Sequence, residues 1–203
     1  MTQTVTALYE TYDAAVSAVN DLEASGIPHA DISLVSNNVD HRYDGDHPTN
    51  AAADAGTGAG IGAAVGGVGG LLTGLGLLAI PGVGPVVAAG WLVATAVGAA
   101  GGAVVGGAAG GIVGSLTGAG VPEHDANFYA EGVRRGGTLV TARVDDARAP
   151  VAREILQHHK WVDPTARGAA YRESGWTTFD ESAPPYTPDQ VAAERNRYIG
   201  GGV

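Results

Sequence analysis

The side chains of this chain that could carry chemistry are few and scattered. Asp40, His41, Asp44, Asp46 and His47 bring carboxylates and imidazoles close together in sequence, the donor types a metal ion takes. Their spacing matches no recognised metal motif, and Gly45 and Pro48 suit a solvated acidic loop, so no metal is expected there. His158 and His159 sit where a helix should end, and a favourable charge at its C-terminal dipole explains them better than a ligand pair. The chain has no cysteine, which removes thiolate nucleophiles, thiolate metal sites and disulfides and leaves the redox compartment open. Ser115 lies in an apolar stretch with no charged neighbour in sequence, so nothing local proposes a serine nucleophile. A dinucleotide-like GxGxxA occurs at Gly58 to Ala63 and again at Gly74 to Ala79. Neither copy directly follows a predicted strand, no acid for a ribose lies about twenty positions on, and no GK[ST] is present. The chain is therefore expected to be no enzyme, with no catalytic residue, no cofactor and no small-molecule substrate.

What the sequence does contain in abundance is glycine. From Ala55 to Pro122 no charged side chain or histidine occurs, and most of the chain's 33 glycines fall there. Two ladders run at spacing four: Gly58, Gly62, Gly66, Gly70 and Gly74, then Gly98, Gly102, Gly106, Gly110, Gly114 and Gly118. Residues four apart share one helix face, so each ladder reads as a groove that another backbone can approach. Glycine costs about 1 kcal/mol against alanine inside a helix, so such helices need close packing or a dry environment. The block is expected to be a helical hairpin, roughly 57–79 and 86–119, turning at Ile80-Pro81-Gly82-Val83-Gly84-Pro85. All eleven ladder glycines are candidate helix-packing positions.

The flanks have the periods of a small α+β domain. Thr4 to Tyr9 reads as a strand, Asp13 to Ala24 as a helix capped by Thr11 or Asp13 and stopped by Gly26, and Asp31 to Ser36 as a second strand. Residues 37–55 read as a polar linker. Beyond the block, Ala126, Tyr129, Ala130 and Val133 form a helical stripe and Thr138 to Val144 alternates as a strand. A helix opened by Pro150 should turn Val151, Ala152, Ile155 and Leu156 inward, and Trp161-Val162 reads as a short strand. The predicted fold is α+β: split ferredoxin-like β-α-β halves interrupted by a long glycine-rich apolar α-helical hairpin. Its expected parts are 1–54, a β-α-β half with its linker; 55–121, the glycine-zipper hairpin; 122–172, the second half; and 173–203, an extended tail with a weak helix at Asp189 to Tyr198. In that tail, Trp176, Phe179 and Tyr186 either dock on another subunit or cover a bare patch of their own domain.

Three segments resemble bacterial general-stress, heat-induced stress proteins: DLEASGI with DISLVS, LLAIPGVGPVVAAG, and GAGVPEHDANFYAEGVRRGGTLVTARV. The resemblance implies a stress-associated, often membrane-associated protein with a glycine-zipper block and brings no enzymatic residues.

The net charge of −10 makes nucleic acid a poor partner. MTQTVTALYE lacks a basic region followed by an apolar run, so no secretory signal is expected. The favoured partner is a second copy of the chain, a homo-oligomer. The hairpin would sit in or dip into the cytoplasmic membrane, touching lipid, with both termini in the cytoplasm and Arg134 and Arg135 near headgroups or closing a helix end. The alternative is a soluble cytoplasmic assembly whose dry core is built from the hairpins.

Overall fold

The computed structural model describes residues 2–41, 76–93, 95 and 111–199. The protein is α+β, with a five-stranded antiparallel sheet at its centre. Strand β1 (Thr2–Tyr9) leads into helix α1 (Tyr12–Ala24), whose first turn is capped by the Thr11 hydroxyl accepting from the Ala14 amide at 3.3 Å. Gly26, at φ +87°, carries the chain out of α1 in the left-handed conformation that glycine tolerates best. Strand β2 (Ile32–Asn37) follows.

The next described elements are strands β3 (Gly76–Ile80) and β4 (Gly84–Gly90), a hairpin paired from Gly76–Ala88 to Ile80–Gly84. This corrects the helical reading of 76–79 and 86–90. An apolar run of four to eight residues bounded by glycine and proline looks the same in a buried strand and a buried helix. Here β-branched Val86 and Val87 pair with Ser36 and Asn37 of β2. Gly82, Gly84 and Gly90 hold φ of +73°, +96° and +95°, which no helix accommodates. The turn itself falls where the sequence places it. Its Val83 is completely buried against its own chain.

Of the second expected helix, residues 91–93 and 95 and helix α2 (Gly111–Gly118) are helical among the described residues. Helix α2 is followed by α3 (Glu123–Arg134), β5 (Thr138–Asp145), α4 (Ala149–His158), α5 (Pro164–Glu173) and α6 (Pro188–Ile199). Acids Glu123 and Asp125 open α3 and Arg134 closes it, each sign at its favourable end of the dipole. Among the described residues no helix is long and apolar enough to cross a membrane.

Strand order in the sheet is β1-β5-β2-β4-β3. β5 thus inserts between β1 and β2, with Val5 facing Ala142 on one side and Leu34 facing Val140 on the other. Beyond β1, Trp161 makes a single bridge to Tyr9. Both faces of the sheet are covered. Ala15, Ala18, Val19 and Leu22 of α1 pack with Ala149, Ala152 and Leu156 of α4 on one face. On the other lie Ile112 and Leu116 of α2, Phe128, Tyr129 and Val133 of α3, and Tyr171 and Phe179. Val151, expected inward, is 52 % exposed on the outer side of α4.

Candidate functional site

The C-terminal residues form the richest constellation of charge in the described structure. α3 ends against β1 with no space to spare. A Cβ at Gly132 would lie 2.3 Å from the Leu8 side chain, and one at Gly137 would lie 2.9 Å from the Gly132 carbonyl oxygen. That close approach sinks Glu131 of α3 and Arg135 at its C-cap, one turn apart, below the surface at 1 % and 8 % exposure. Arg135 Nε donates to Glu131 Oε1 at 2.6 Å, and its Nη1 lies 3.3 Å from Glu194 Oε2 of α6. Its guanidinium also lies 4.2 Å from the centre of the Tyr171 ring and 5.7 Å from that of Tyr186.

A second arginine repeats the pattern alongside. Arg167 of α5 pairs with Glu10, in the turn between β1 and α1, and stacks 3.4 Å over the centre of the Tyr198 ring. A third, Arg195 of α6, pairs with Asp40 and donates to the Gly136 carbonyl at 3.1 Å. Gly136, at φ +104°, must be glycine, because a Cβ there would also press to 2.6 Å from Val191.

Burial works against the charge of Arg135, but its hydrogen bond to Glu131 and the nearby carboxylates outweigh that, and its pKa rises above the ordinary value. Arg167 rises for the same reasons through Glu10. Burial raises the Tyr171 hydroxyl, with Arg167 and Arg135 pulling the other way. Together Arg135, Arg167, Glu10, Glu194, Tyr171 and Tyr198 enclose about 10 Å³, room for roughly one water. Each arginine is committed to a carboxylate, and each of those carboxylates to an arginine. The arrangement serves as an electrostatic clasp that ties α5 and α6 to α3 and β1.

The aromatic residues expected in an extended tail lie beside this clasp. Phe179 is buried in the core of the second sheet face, Trp176 packs against it, and Arg134 stacks 5.0 Å from the centre of Tyr186. All three pack on their own domain. Arg134 and Arg135 face the tail, with Arg134 Nη2 donating to the Pro184 carbonyl at 2.9 Å. His159 pairs with Asp21 of α1 at 2.7 Å, so it joins α4 to α1 in addition to closing its own helix. Of the acidic loop, Asp40 is taken by Arg195, whereas Asp44, Asp46 and His47 lie outside the described residues.

Of the ladder, Gly58, Gly62, Gly66, Gly70, Gly74, Gly98, Gly102, Gly106 and Gly110 also lie outside them. Gly114 and Gly118 are in α2. Gly118 is exposed, and no atom of the described residues lies within 4 Å of an added Cβ there. The clasp residues Glu10, Arg167, Tyr171, Glu194 and Arg195 went unnoticed in the sequence. Only the one-turn spacing of Glu131 and Arg135 was visible there, since Glu10 and Arg167 stand 157 positions apart.

Residues 4–82 match the family model described as the heat induced stress protein YflT domain. The resemblance read from the sequence is thereby shown over that stretch, which holds β1, α1 and β2 and runs into the turn after β3. No curated protein and no solved structure matches the chain.

Proposed function

We propose that this chain is a non-catalytic protein of the heat-stress response that acts by associating with copies of itself. Its link to stress rests on the matched domain. The observation that carries the non-catalytic part is the clasp, where the strongest charges are spent on one another around a space the size of one water. The two β-α-β halves form one split, ferredoxin-like unit, a reading supported by the insertion of β5 between β1 and β2 and by the Trp161 bridge beyond β1.

The unit holds the glycine-rich stretches at fixed points, because Gly76 pairs with Ala88 and α2 begins at Gly111 beside Glu181. Ladders tethered in this way meet ladders of other copies, and a soluble cytoplasmic assembly is the favoured form. Anchoring in the membrane is the weaker reading, since the residues meant for its turn sit in the sheet.

Light scattering on the full chain, with Gly66→Leu and Gly106→Leu beside it, tests the proposal. A multimeric mass that falls in both variants is expected. A monomer at every concentration, or protein recovered only in detergent-extracted membranes, would overturn it.

A further inference from the structure

Residues 176–199, the segment from Trp176 to the end of α6, lie on the rest of the domain as an arm. The chain enters it through Gly175, which holds φ +91° and has no atom within 4 Å of an added Cβ, so the joint is unencumbered. Much of the arm is exposed, with Phe179 and Val191 as its most buried apolar anchors. Polar contacts supply much of the rest. Asn127 Oδ1 accepts from the Thr178 hydroxyl at 2.8 Å and from the Phe179 amide at 3.2 Å. Arg134 holds the Pro184 carbonyl, Arg135 meets Glu194, and Arg195 meets Asp40 and the Gly136 carbonyl.

The surface beneath is shaped for this segment. A Cβ at Gly82 would come within 2.9 Å of the Phe179 ring and 2.8 Å of the Glu181 backbone, and one at Gly84 within 2.8 Å of Pro185. Charge is complementary as well, with Arg134 and Arg135 on the body and Asp180, Glu181 and Glu194 on the arm.

We infer that this arm is exchangeable, and that the surface formed by α3 and the β3–β4 turn accepts the same arm from a second copy of the chain. The inference rests on the self-association proposed above and names a surface that would carry it. Every contact made within one chain is available unchanged between two, so a swapped pair loses none of them. A segment held by few buried apolar groups, two ion pairs and a handful of hydrogen bonds belongs to the parts of a protein that open before the whole unfolds. Warming favours that opening.

The absence of native cysteine makes exchange directly measurable. Two full-length variants, Asn127→Cys and Thr178→Cys, are mixed, warmed, cooled and oxidised, and their masses are read under non-reducing conditions. The expected result is several-fold more disulfide-linked dimer in the mixture than in either variant alone, forming faster in samples that were warmed. The double variant tests the resting contact and is expected to close a disulfide within one chain. A mixture with no excess dimer, while the double variant closes internally, overturns the inference. So does a double variant that fails to close. Light scattering on the unaltered chain separates the two ideas: a multimer without excess cross-linking removes the arm and leaves self-association standing, whereas a monomer removes both.

Discussion

On one face of the sheet, α1 and α4 meet the strands almost entirely through Ala15, Ala18, Val19, Leu22, Ala152 and Leu156, all buried. On the other, α2, α3, α5 and the arm combine apolar anchors with buried Glu131, Arg135, Glu194 and Arg195. The first cover is part of the β-α-β units themselves and needs only a period of 3.6 to be built. The second is assembled from segments far apart in the chain, and charge fixes how they meet. Apolar burial is non-directional, whereas a guanidinium between two carboxylates and a ring accepts a narrow range of positions. The second face is therefore more specific in geometry and more exposed to the loss of a single group.

Breaking the clasp should give the largest effect. Arg135→Ala strands Glu131 and Glu194 in a buried site and is expected to cost about 3–5 kcal/mol, read from urea unfolding. A cost below about 1 kcal/mol would mean the clasp is incidental. Leu156→Ala, on the apolar face, should cost roughly 2–5 kcal/mol through the cavity it leaves. Measured in low and high salt, both costs should stay nearly constant, because Arg135 and its carboxylates are buried and weakly screened. A strongly salt-dependent cost of Arg135→Ala would mean that the clasp is open to solvent.

Alkaline titration probes both faces at once. Burial raises the hydroxyls of Tyr9 on the first face and of Tyr129 and Tyr171 on the second, with Tyr129 reaching about 12. A pKa higher in the folded chain than in the unfolded one contributes stability below the unfolded value, near pH 10, and loses it as the pH rises toward the folded value. Stability should thus fall from about pH 10 upward. Tyrosinate absorbance from these three rings should appear together with unfolding, and their ionisation near pH 10 in an intact fold would contradict the burial argument. The smallest effect is expected for Val151→Lys, within about 0.5 kcal/mol, because that side chain already faces water. A large loss there would restore the inward reading of the α4 stripe.

The contrast between the faces also explains what the sequence made legible. The first β-α-β unit, the stripe of α3, strand β5 and the position of the Pro81 turn follow local periods and breakers, and all were readable. The helix of 188–199 was foreseen to within a residue or two at each end. The β3–β4 hairpin was not, because the helices read from the two glycine ladders were carried on over 76–79 and 86–90 although valine pairs and two prolines were present. Val151 was misplaced by assigning too wide an apolar stripe to a helix with a narrow one. α5 has no sustained apolar period. Its start depends on the Asp163 carboxylate accepting from the Thr165 and Ala166 amides, and its packing on Arg167 finding Glu10. Such a partnership is a property of the closed fold, and no local pattern announces it.

The insertion of β5 between β1 and β2 sets a timetable for the newborn chain. Ser36 waits for Thr138, its hydroxyl partner at 2.8 Å, which is 102 residues further on. At a synthesis rate of about 5–20 residues per second, the edges of β1 and β2 that face β5 stand open for roughly 5–20 s. Edges of that kind recruit other strands. The newborn chain therefore carries two unpaired strand edges until the strand that joins them has been made.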